Sequence, residues 1–452
     1  MRSSHRALVL AFVFFALGAI VVAEDPMPHD FAFVGPRDVV GWVHRVVFDP
    51  NDPQIVYAAC DDSIGLYRSD DGGNSFRKMP AYGENRGIDS WSLDIGPDGR
   101  LYVGDHFGTG IRVSTDGGES FVQATGEDLD YIAAIDAHPT VAGTAFAAVG
   151  LTSNADGQGG NGPPLKDRGF VMKTTDGGLT WQKVGGLPTD APFRTVWIHP
   201  SDPDVILAGR TVDIWRSTDG GASWQQLDLI TPIPLGIQYV GAGAFTVSPA
   251  NPNRILASAI RIEALTIGVN LFYYEIWKSE DRGLTFEATQ TPANTWLPYY
   301  DIVASPDEDL FYAYGYVDSG YGVLESLNTL GAEWQVVADA PPHAYFSGTF
   351  LPGDSGEMIV SAFGVGLYRY RRNQADRWAH KEAGLAGAGC IGFAIVEGEP
   401  ERWIAGCANV GLQPVLSYSD DYGASWTRVR PEGLDFAGWR DAEGNINNAF
   451  LP

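Results

Sequence analysis

The chain has 452 residues, of which 44% are hydrophobic, so it is long enough to bury a substantial core. Its 56 acidic and 30 basic residues give a formal net charge of −26, and no basic stretch offsets this charge. Such a surface repels nucleic acid and anionic lipid, so we expect neither as a partner.

The N-terminus has the pattern of a secretory signal. Arg2 and Arg6 precede an apolar run over 7–22, which ends at the small residue Ala23. This pattern predicts a cleaved signal peptide at 1–23 and therefore a secreted or periplasmic protein. The run is short for a membrane span, so no membrane contact is expected after cleavage; an uncleaved N-terminal anchor is the alternative.

One octapeptide recurs along the chain with the pattern Ser/Thr-x-Asp-x-Gly-x-Ser/Thr-Trp/Phe. The Asp carboxylate can accept bonds from the backbone N–H groups that follow it, and Gly supplies the positive φ of a chain reversal. The unit therefore predicts a strand, a tight turn and a second strand. Six equivalent Asp residues favour a structural role over metal binding or catalysis. These residues are Asp71, Asp116, Asp176, Asp219, Asp281 and Asp421.

The octapeptide resembles the Asp-box, or BNR repeat. Proteins that carry this repeat include bacterial sialidases, xyloglucan-degrading glycosidases, sortilin-type receptors and a photosystem assembly factor. The resemblance spans nearly the whole chain after the signal, and it implies a β-propeller with each box between the third and fourth strands of a blade. Because these proteins have unrelated functions, the resemblance implies a fold rather than an activity.

The octapeptides divide the chain into repeated units of four short strands. In the first unit, strands at 43–48 and 55–60 flank a turn marked by Pro50 and Pro53, and 65–68 leads into the octapeptide. The clear Asp residues from the first copy to the fifth are 43 to 62 residues apart. This spacing is typical of a repeat fold built from small sheets.

The repeats predict an all-β protein with a single β-propeller of four-stranded blades. A degraded copy at 326–334 and an eroded unit at 358–378 bring the number of units over 42–433 to eight. We therefore expect eight blades, with seven as the alternative, in a monomer. The segment 24–41 or the tail 434–452 would add a strand to the last blade and close the ring.

Two of the three cysteines are candidates for a disulfide. Cys390 and Cys407 lie equally far from the turn 397–400, in two strands that should pair antiparallel. Directly opposed residues on such a hairpin are within reach of a disulfide, which an exported protein can form. The alternative is two small buried residues. Cys60 is expected to be a lone buried thiol at the end of a strand.

Functional side chains are expected on the face opposite the octapeptide turns, where the loops between second and third strands meet the blade-to-blade connections. Two carboxylates facing each other there could hydrolyse a glycosidic bond, and Asp105 and Asp301 are the candidates. Aromatic, charged and polar groups could bind a sugar at the same face. The candidates are Asp61, His106, Arg194, Arg210, Tyr300, Asp318 and Tyr321, with His44, Arg45 and Trp91 at the starts of first strands.

Two long loops are also predicted at this face. The loop 153–166 is rich in Gly, Asn and Pro. The segment 261–270 is more apolar, and we consider two forms for it: a flap that covers the channel mouth or contacts a partner, and an extended hairpin.

Specific enzyme motifs are mostly missing. The sequence has no Arg-Ile-Pro motif of sialidases, no opening Gly-rich motif or second propeller of xyloglucanases, and no zinc pattern or P-loop. We therefore expect no metal and no cofactor. The first hypothesis is a binding or interaction module for a glycan or a protein. The alternative is a carbohydrate-active enzyme, either a glycoside hydrolase or a polysaccharide lyase, and a scaffold for an extracellular complex is a third hypothesis.

Overall fold

A computed structural model describes most of the chain between Val43 and Val429. The described residues are 43–60, 65–79, 90–105, 110–129, 131–150, 169–233, 236–265, 270–292, 301–306, 310–317, 320–327, 331–340, 345–351, 356–362, 366–372, 378–381, 390–396, 399–408, 414–419 and 427–429. Within them, every regular element is a β-strand. The predicted signal, the segment 24–41 and the tail 434–452 lie outside the described residues.

The strands form eight antiparallel sheets, each built from consecutive strands of one repeat unit. The first four sheets are β1 (Val43–Phe48), β2 (Val56–Cys60), β3 (Gly65–Ser69), β4 (Arg77–Lys78); β5 (Ser90–Ile95), β6 (Leu101–Asp105), β7 (Ile111–Ser114), β8 (Val122–Gln123); β9 (Ile132–Ala137), β10 (Ala145–Val149), β11 (Phe170–Thr174), β12 (Gln182–Lys183); and β13 (Phe193–Ile198), β14 (Ile206–Arg210), β15 (Ile214–Ser217), β16 (Gln225–Gln226).

The fifth sheet has one strand more than the others. The last four sheets are β17 (Thr231–Ile233), β18 (Gly236–Val247), β19 (Ile255–Leu265), β20 (Asn270–Ser279), β21 (Glu287–Ala288); β22 (Asp301–Ala304), β23 (Phe311–Val317), β24 (Gly320–Ser326), β25 (Trp334–Val336); β26 (Tyr345–Phe350), β27 (Glu357–Ala362), β28 (Gly366–Arg371), β29 (Trp378–Lys381); and β30 (Cys390–Val396), β31 (Glu399–Ala408), β32 (Pro414–Ser419), β33 (Thr427–Val429).

Seven of these sheets form the blades of a closed propeller. The innermost strands follow one another around the ring in the order β1, β5, β9, β13, β18, β22 and β26, and β26 lies directly beside β1. This contact leaves no place for another blade between the seventh and the first. The expectation of eight blades is therefore wrong, and seven is correct. The sequence counts units of four strands correctly, but the eighth unit, β30–β33, is a sheet that does not enter this ring.

The core lies between neighbouring blades. The second strands β2, β6, β10 and β14 are buried at every position, because each is covered by a blade on both faces. Ile359 and Leu367 of the seventh blade pack with Val43 and Val56 of the first, so the closure is apolar. Cys60, at the end of β2, is buried, as predicted, and its thiol donates to the carbonyl of Ala58 at 3.8 Å.

Each repeated octapeptide forms the turn between the third and fourth strands of its blade. In the fifth blade, the hydroxyl of Ser279 donates to Oδ1 of Asp281 at 2.8 Å, and Thr285 donates its N–H at 2.9 Å and its hydroxyl at 2.6 Å to the same carboxylate. The same three contacts recur at Asp71, Asp116, Asp176 and Asp219. Asp421 lies outside the described residues.

The octapeptide turn requires glycine in its second half. Gly221 has a φ of +84°, and a Cβ there would lie 2.8 Å from Cε1 of Phe146 in the preceding blade. Both the left-handed backbone and the close approach of that ring exclude a larger residue. The aromatic residue that ends the octapeptide covers the turn: the indole N–H of Trp224 donates to the carbonyl of Gly221 at 3.2 Å.

Replacement of Asp281 by Ala is expected to destabilise the fold by about 1–2 kcal/mol, because the turn loses its charge-assisted hydrogen bonds. Urea denaturation measures the change. The control is Glu280→Ala in the same turn, which removes an ion pair that Glu280, 43% exposed, forms with Arg254. That variant should lose less than about 1 kcal/mol. Equal effects of the two variants would contradict a structural role for the repeated Asp.

In the eighth sheet, the backbone pairs Cys390 directly with Cys407. This register is the one that the sequence predicted. The side chains of these two residues lie outside the described part of the structure, so the disulfide itself stays a prediction.

Candidate functional site

A polar cavity of about 380 Å³ occupies the centre of the ring. The innermost strand of every blade contributes to its wall, so it is the channel that the seven blades enclose. Its charged and polar lining residues are His44, Arg45, Ser92, Asp136, Arg194, Thr195, Thr246, Asp301, Ser347 and Thr349.

A β-bulge near the start of the innermost strands directs side chains towards this channel. The pairing with the second strand skips one residue in six of the seven blades, at His44, Trp91, Ala133, Arg194, Gly243 and Phe346. An extra residue of this kind re-aims its side chain and increases the local twist. His44 and Arg194 reach the channel wall in this way.

Carboxylates on the innermost strands connect neighbouring blades. Asp94 Oδ2 accepts the backbone N–H of Ala137 in the next blade at 2.7 Å, and Asp136 Oδ2 accepts that of Ile198 at 2.5 Å. The innermost strand is the edge of its sheet, so its outward N–H groups have no partner within the sheet. The two carboxylates satisfy these donors, and they occupy equivalent positions in consecutive blades.

Asp94 and Asp136 also lie close enough for each to affect the ionisation of the other. Burial raises the pKa of both, and the charge of Asp94 raises the pKa of Asp136 well above its usual range, while Arg45 opposes these shifts. Two carboxylates that share a site repel each other, so the fold favours a state in which the pair retains a proton.

Asp301 lies at the start of β22, in the sixth blade. Its Oδ2 contacts Nη1 of Arg45 at 3.3 Å and accepts the hydroxyl of Ser347 at 3.0 Å. Backbone N–H groups of Ile302 and Gly348 also donate to this carboxylate. Burial raises the pKa of Asp301, and Arg45 and these hydrogen bonds oppose the shift. Asp301 belongs to the sixth blade and Arg45 to the first, so their ion pair crosses the channel wall past the seventh blade, which lies between them.

One hydroxyl in the channel wall has no hydrogen-bond partner. Ser92 is 5% exposed, and its Oγ is a buried donor and acceptor that no described residue satisfies. Buried polar groups are normally paired, so an unpaired hydroxyl that lines a cavity indicates a place for water or a polar ligand group.

The structure brings some of the predicted site residues together and separates others. Arg194 and Asp301 both line the channel. Asp105 is buried at the end of β6 and is not among the lining residues. Tyr321 lies in β24, where its backbone pairs with Tyr316. Asp61, His106, Tyr300 and Asp318 lie outside the described residues.

The side chain of Arg210 is held by ion pairs with two aspartates. Its guanidinium is buried and contacts Asp213 through two nitrogens, at 2.6 and 2.5 Å, and Asp190 at 2.7 Å. Arg210 is not among the residues that line the channel.

Sequence reasoning missed the pair Asp94 and Asp136. The available signal was an acidic residue inside an apolar strand, at equivalent positions of two consecutive repeats: Ser-Leu-Asp-Ile and Ala-Ile-Asp-Ala. An ionisable group in such a strand is rarely buried unless it is paired.

Among the described residues, no group of three or more His, Cys, Asp or Glu is arranged to hold a metal ion. No helix in this part of the chain has the length and hydropathy of a membrane span.

The chain is similar in sequence to known xyloglucanases. It is 25% identical to xyloglucanase Xgh74A of Acetivibrio thermocellus in an alignment 206 residues long, which covers 39% of this chain and 23% of that protein. It is 24% identical to a xyloglucanase of Hypocrea jecorina over 324 residues, or 62% of this chain and 35% of that protein. No protein-family model matches the chain.

The propeller resembles those of the xyloglucanases. An ancestral GH74 enzyme superposes with a TM-score of 0.65 at 20% identity, covering 88% of this chain and 55% of that structure. At this identity the superposition shows the fold alone. The chain spans between about a quarter and about a third of the length of the two curated xyloglucanases.

Proposed function

We propose that this protein is a carbohydrate-active enzyme of the glycosidase type that acts on a neutral β-glucan at the mouth of the propeller channel. The observation that carries the proposal is that two carboxyl groups, those of Asp136 and Asp301, line the channel. Burial and the charge of Asp94 raise the pKa of Asp136, which favours its protonated form. A glycosidase requires such a carboxylic acid beside an ionised carboxylate. The sequence similarity to xyloglucanases supports a β-glucan substrate.

The proposed acid is Asp136, because it lines the channel and its raised pKa favours a proton on its carboxyl group. It gives this proton to the glycosidic oxygen as the bond from that oxygen to the anomeric carbon breaks. Asp301 is the proposed carboxylate that takes a proton from the attacking water, whose oxygen bonds to the anomeric carbon. Arg45 and Arg194 hold substrate hydroxyls and limit the negative charge of the site.

Other parts of the proposal follow from the resemblance and the sequence. We infer that the octapeptide turns are Asp-boxes, that residues 1–23 direct export, and that the protein acts as a monomer outside the cytoplasm. These inferences are independent of the catalytic roles given to Asp136 and Asp301.

Reducing-end release from soluble xyloglucan tests the activity directly. Wild-type protein should release reducing ends, and Asp136→Asn should lower the rate about 10²- to 10⁴-fold, because Asn cannot donate the proton. Asp301→Asn should lower it as well, while both variants still bind the polymer. The control is Asp228→Asn, an exposed carboxylate outside the channel lining. Unsaturated product ends would indicate a lyase instead.

A binding module for a glycan or a protein is the second candidate function. The observation that favours it is that the carboxylates of Asp94, Asp136 and Asp301 all accept backbone hydrogen bonds from the next blade. These bonds alone give the carboxylates a structural reason to exist. Tight binding of xyloglucan by the wild type without any release of reducing ends would establish the binding module and contradict the enzyme.

A further inference from the structure

The fifth blade carries an arm that projects beyond the rest of the propeller. Its strands β18, β19 and β20 have 12, 11 and 10 residues, whereas no other described strand of the ring exceeds seven. The additional length precedes the bulge at Gly243, so the arm extends from the end of the disc where the innermost strands begin. Arg45, Arg194 and Asp301 lie at that same end. The described residues of the predicted segment, 261–265 and 270, are therefore paired strands of an extended hairpin.

The inner edge of the arm is closed by a further strand. β17 pairs with β18 over Thr231 to Ile233, opposite Gln238 to Gly236. This pairing satisfies edge groups that could otherwise add a strand from another chain. The surfaces left for a ligand are therefore the two faces of the arm.

One face of the arm is occupied by its own ion pairs. Arg261 contacts Glu275 at 2.8 Å and Glu263 at 2.5 Å, and its guanidinium lies 3.8 Å from the ring centre of Tyr273. The Trp277 indole donates to Glu275 at 2.8 Å. This network connects β19 with β20 and satisfies these charges within the arm.

The other face of the arm has no charged residue. Residues directly opposite each other in antiparallel strands share a face, so the register places three rows of three residues on it. They are Ile237, Ala264 and Asn270; Tyr239, Ile262 and Phe272; and Gly241, Ile260 and Tyr274.

The outer rows of this uncharged face are partly open to solvent, although Ile262 at the centre of the second row is buried. Phe272 is 53% exposed and Ile237 is 43% exposed, and Asn270 is exposed beside them. Tyr239 stands in the same row as Phe272 with Ile262 between them. The result is a flat aromatic and aliphatic platform with an amide at its rim, on a protein whose net charge is −26.

We propose that this uncharged face of the arm is a binding platform for a neutral polysaccharide chain that leads into the channel mouth. A pyranose ring presents a C–H face that stacks on an aromatic side chain, and its hydroxyls bond to amide groups at the rim. A neutral chain suits a face without charge, whereas an anionic polymer would meet the repulsion of the whole protein. The proposal rests on the proposed function for the ligand class, and it adds a site about 30 residues away in sequence from Asp301.

Affinity for soluble xyloglucan, measured by isothermal titration calorimetry on the full chain, tests the platform. Phe272→Ala should weaken binding on the order of tenfold, because it removes the stacking ring. Phe272→Trp should bind at least as well as the wild type, and Ile237→Ser provides a second, weaker loss on the same face. Polygalacturonate, an anionic polymer, should not bind.

The matched control is Leu271→Ala, which removes a side chain of similar exposure (41%) on the other face of the same strand. It should leave the affinity unchanged. Equal losses in Phe272→Ala and Leu271→Ala, wild-type affinity in Phe272→Ala, or no binding by the wild type would overturn the platform. Loss of a dimer in Phe272→Ala, seen by light scattering, would show that a second copy covers this face and would overturn it too.

The same variants separate this proposal from the proposed function. Xyloglucan that binds through Phe272 without being cleaved contradicts the enzyme and retains the platform. Cleavage in which Phe272→Ala has an unchanged KM contradicts the platform and retains the enzyme.

Discussion

Replacement of Arg210 by Met is expected to destabilise the propeller by about 3–5 kcal/mol, because it leaves the buried carboxylate of Asp213 without its counter-ion. Arg210 is 5% exposed and Asp213 is 3% exposed, and the pair is held by two hydrogen bonds. Neither charge can recover hydration in the fold. Chemical denaturation of the two proteins measures the difference.

Two further variants define the origin of that loss. Asp190→Ala removes the other ion-pair partner of Arg210. Because the Asp190 side chain is 80% exposed, this variant should lose less than about 1 kcal/mol of folding stability. Arg210→Met combined with Asp213→Leu removes both buried charges and should recover most of the stability. An Arg210→Met protein that is as stable as the wild type but loses ligand binding would contradict this account and return Arg210 to the predicted binding site.

Replacement of Asp136 by Asn is expected to make the protein more stable at pH 8 and to leave its stability near pH 4 almost unchanged. The folded state raises the pKa of Asp94 and Asp136, chiefly by burial. Stability from a raised pKa is fully present below the unfolded pKa and is lost as the pH rises through the folded value. Asn reproduces the protonated acid at every pH, since its amide can donate to Asp94 while its oxygen accepts from Ile198. Thermal melts between pH 4 and 9 measure both curves.

Asp228→Asn is the control for this experiment, because Asp228 is exposed and should leave the shape of the curve unchanged. An Asp136→Asn protein that is less stable than the wild type at pH 8 would show that the folded state requires the second negative charge. The shared proton would then be the wrong description of the pair.

The octapeptide turns change folding stability with pH in the opposite direction to the carboxyl pair, and they do so at lower pH. Hydrogen bonds from Ser120 and Ser223 lower the pKa of Asp116 and Asp219 to about 2. Stability from a lowered pKa is present above the unfolded value, about 3.9 for Asp, and is lost as the pH falls through the folded value. The wild type should therefore lose stability below about pH 4 through the turns and above it through the carboxyl pair.

The turns and strands could be predicted from the sequence because their causes are local. Asp281 bonds to residues two and four positions away, so the octapeptide determines its own geometry. The number of blades depends instead on a contact between strands almost 300 residues apart, β1 and β26, and no local pattern encodes it. Counting repeats therefore gave one blade too many.

The positions of the candidate site residues could be predicted only in part, for a similar reason. The sequence placed Arg194 and Asp301 near the channel, where they lie, because strand starts at one face of a propeller point to its centre. Asp94 and Asp136 escaped because their roles depend on the register between neighbouring blades, which places each carboxylate opposite an N–H group of the next innermost strand. Arg210 was placed in the site by its residue type, but Asp213, three positions later, holds it within the blade.

The carboxyl pair of Asp94 and Asp136 affects both the folding stability of this protein and its proposed activity. An acid whose pKa is raised by the fold lowers the stability at neutral pH, and proteins retain such groups where function needs them. Asp136→Asn should therefore be a stabilised but inactive protein. That combination distinguishes a catalytic acid from a carboxylate whose only role is to connect blades.

The pH dependence of kcat/KM for reducing-end release from soluble xyloglucan tests the central claim most directly. If the shared proton of Asp94 and Asp136 is the one delivered to the glycosidic oxygen, the rate falls on the alkaline side as that proton is lost. A rate that stays constant to pH 9, or no release at any pH, would contradict the claim that the channel carboxyls of this propeller carry out glycoside hydrolysis.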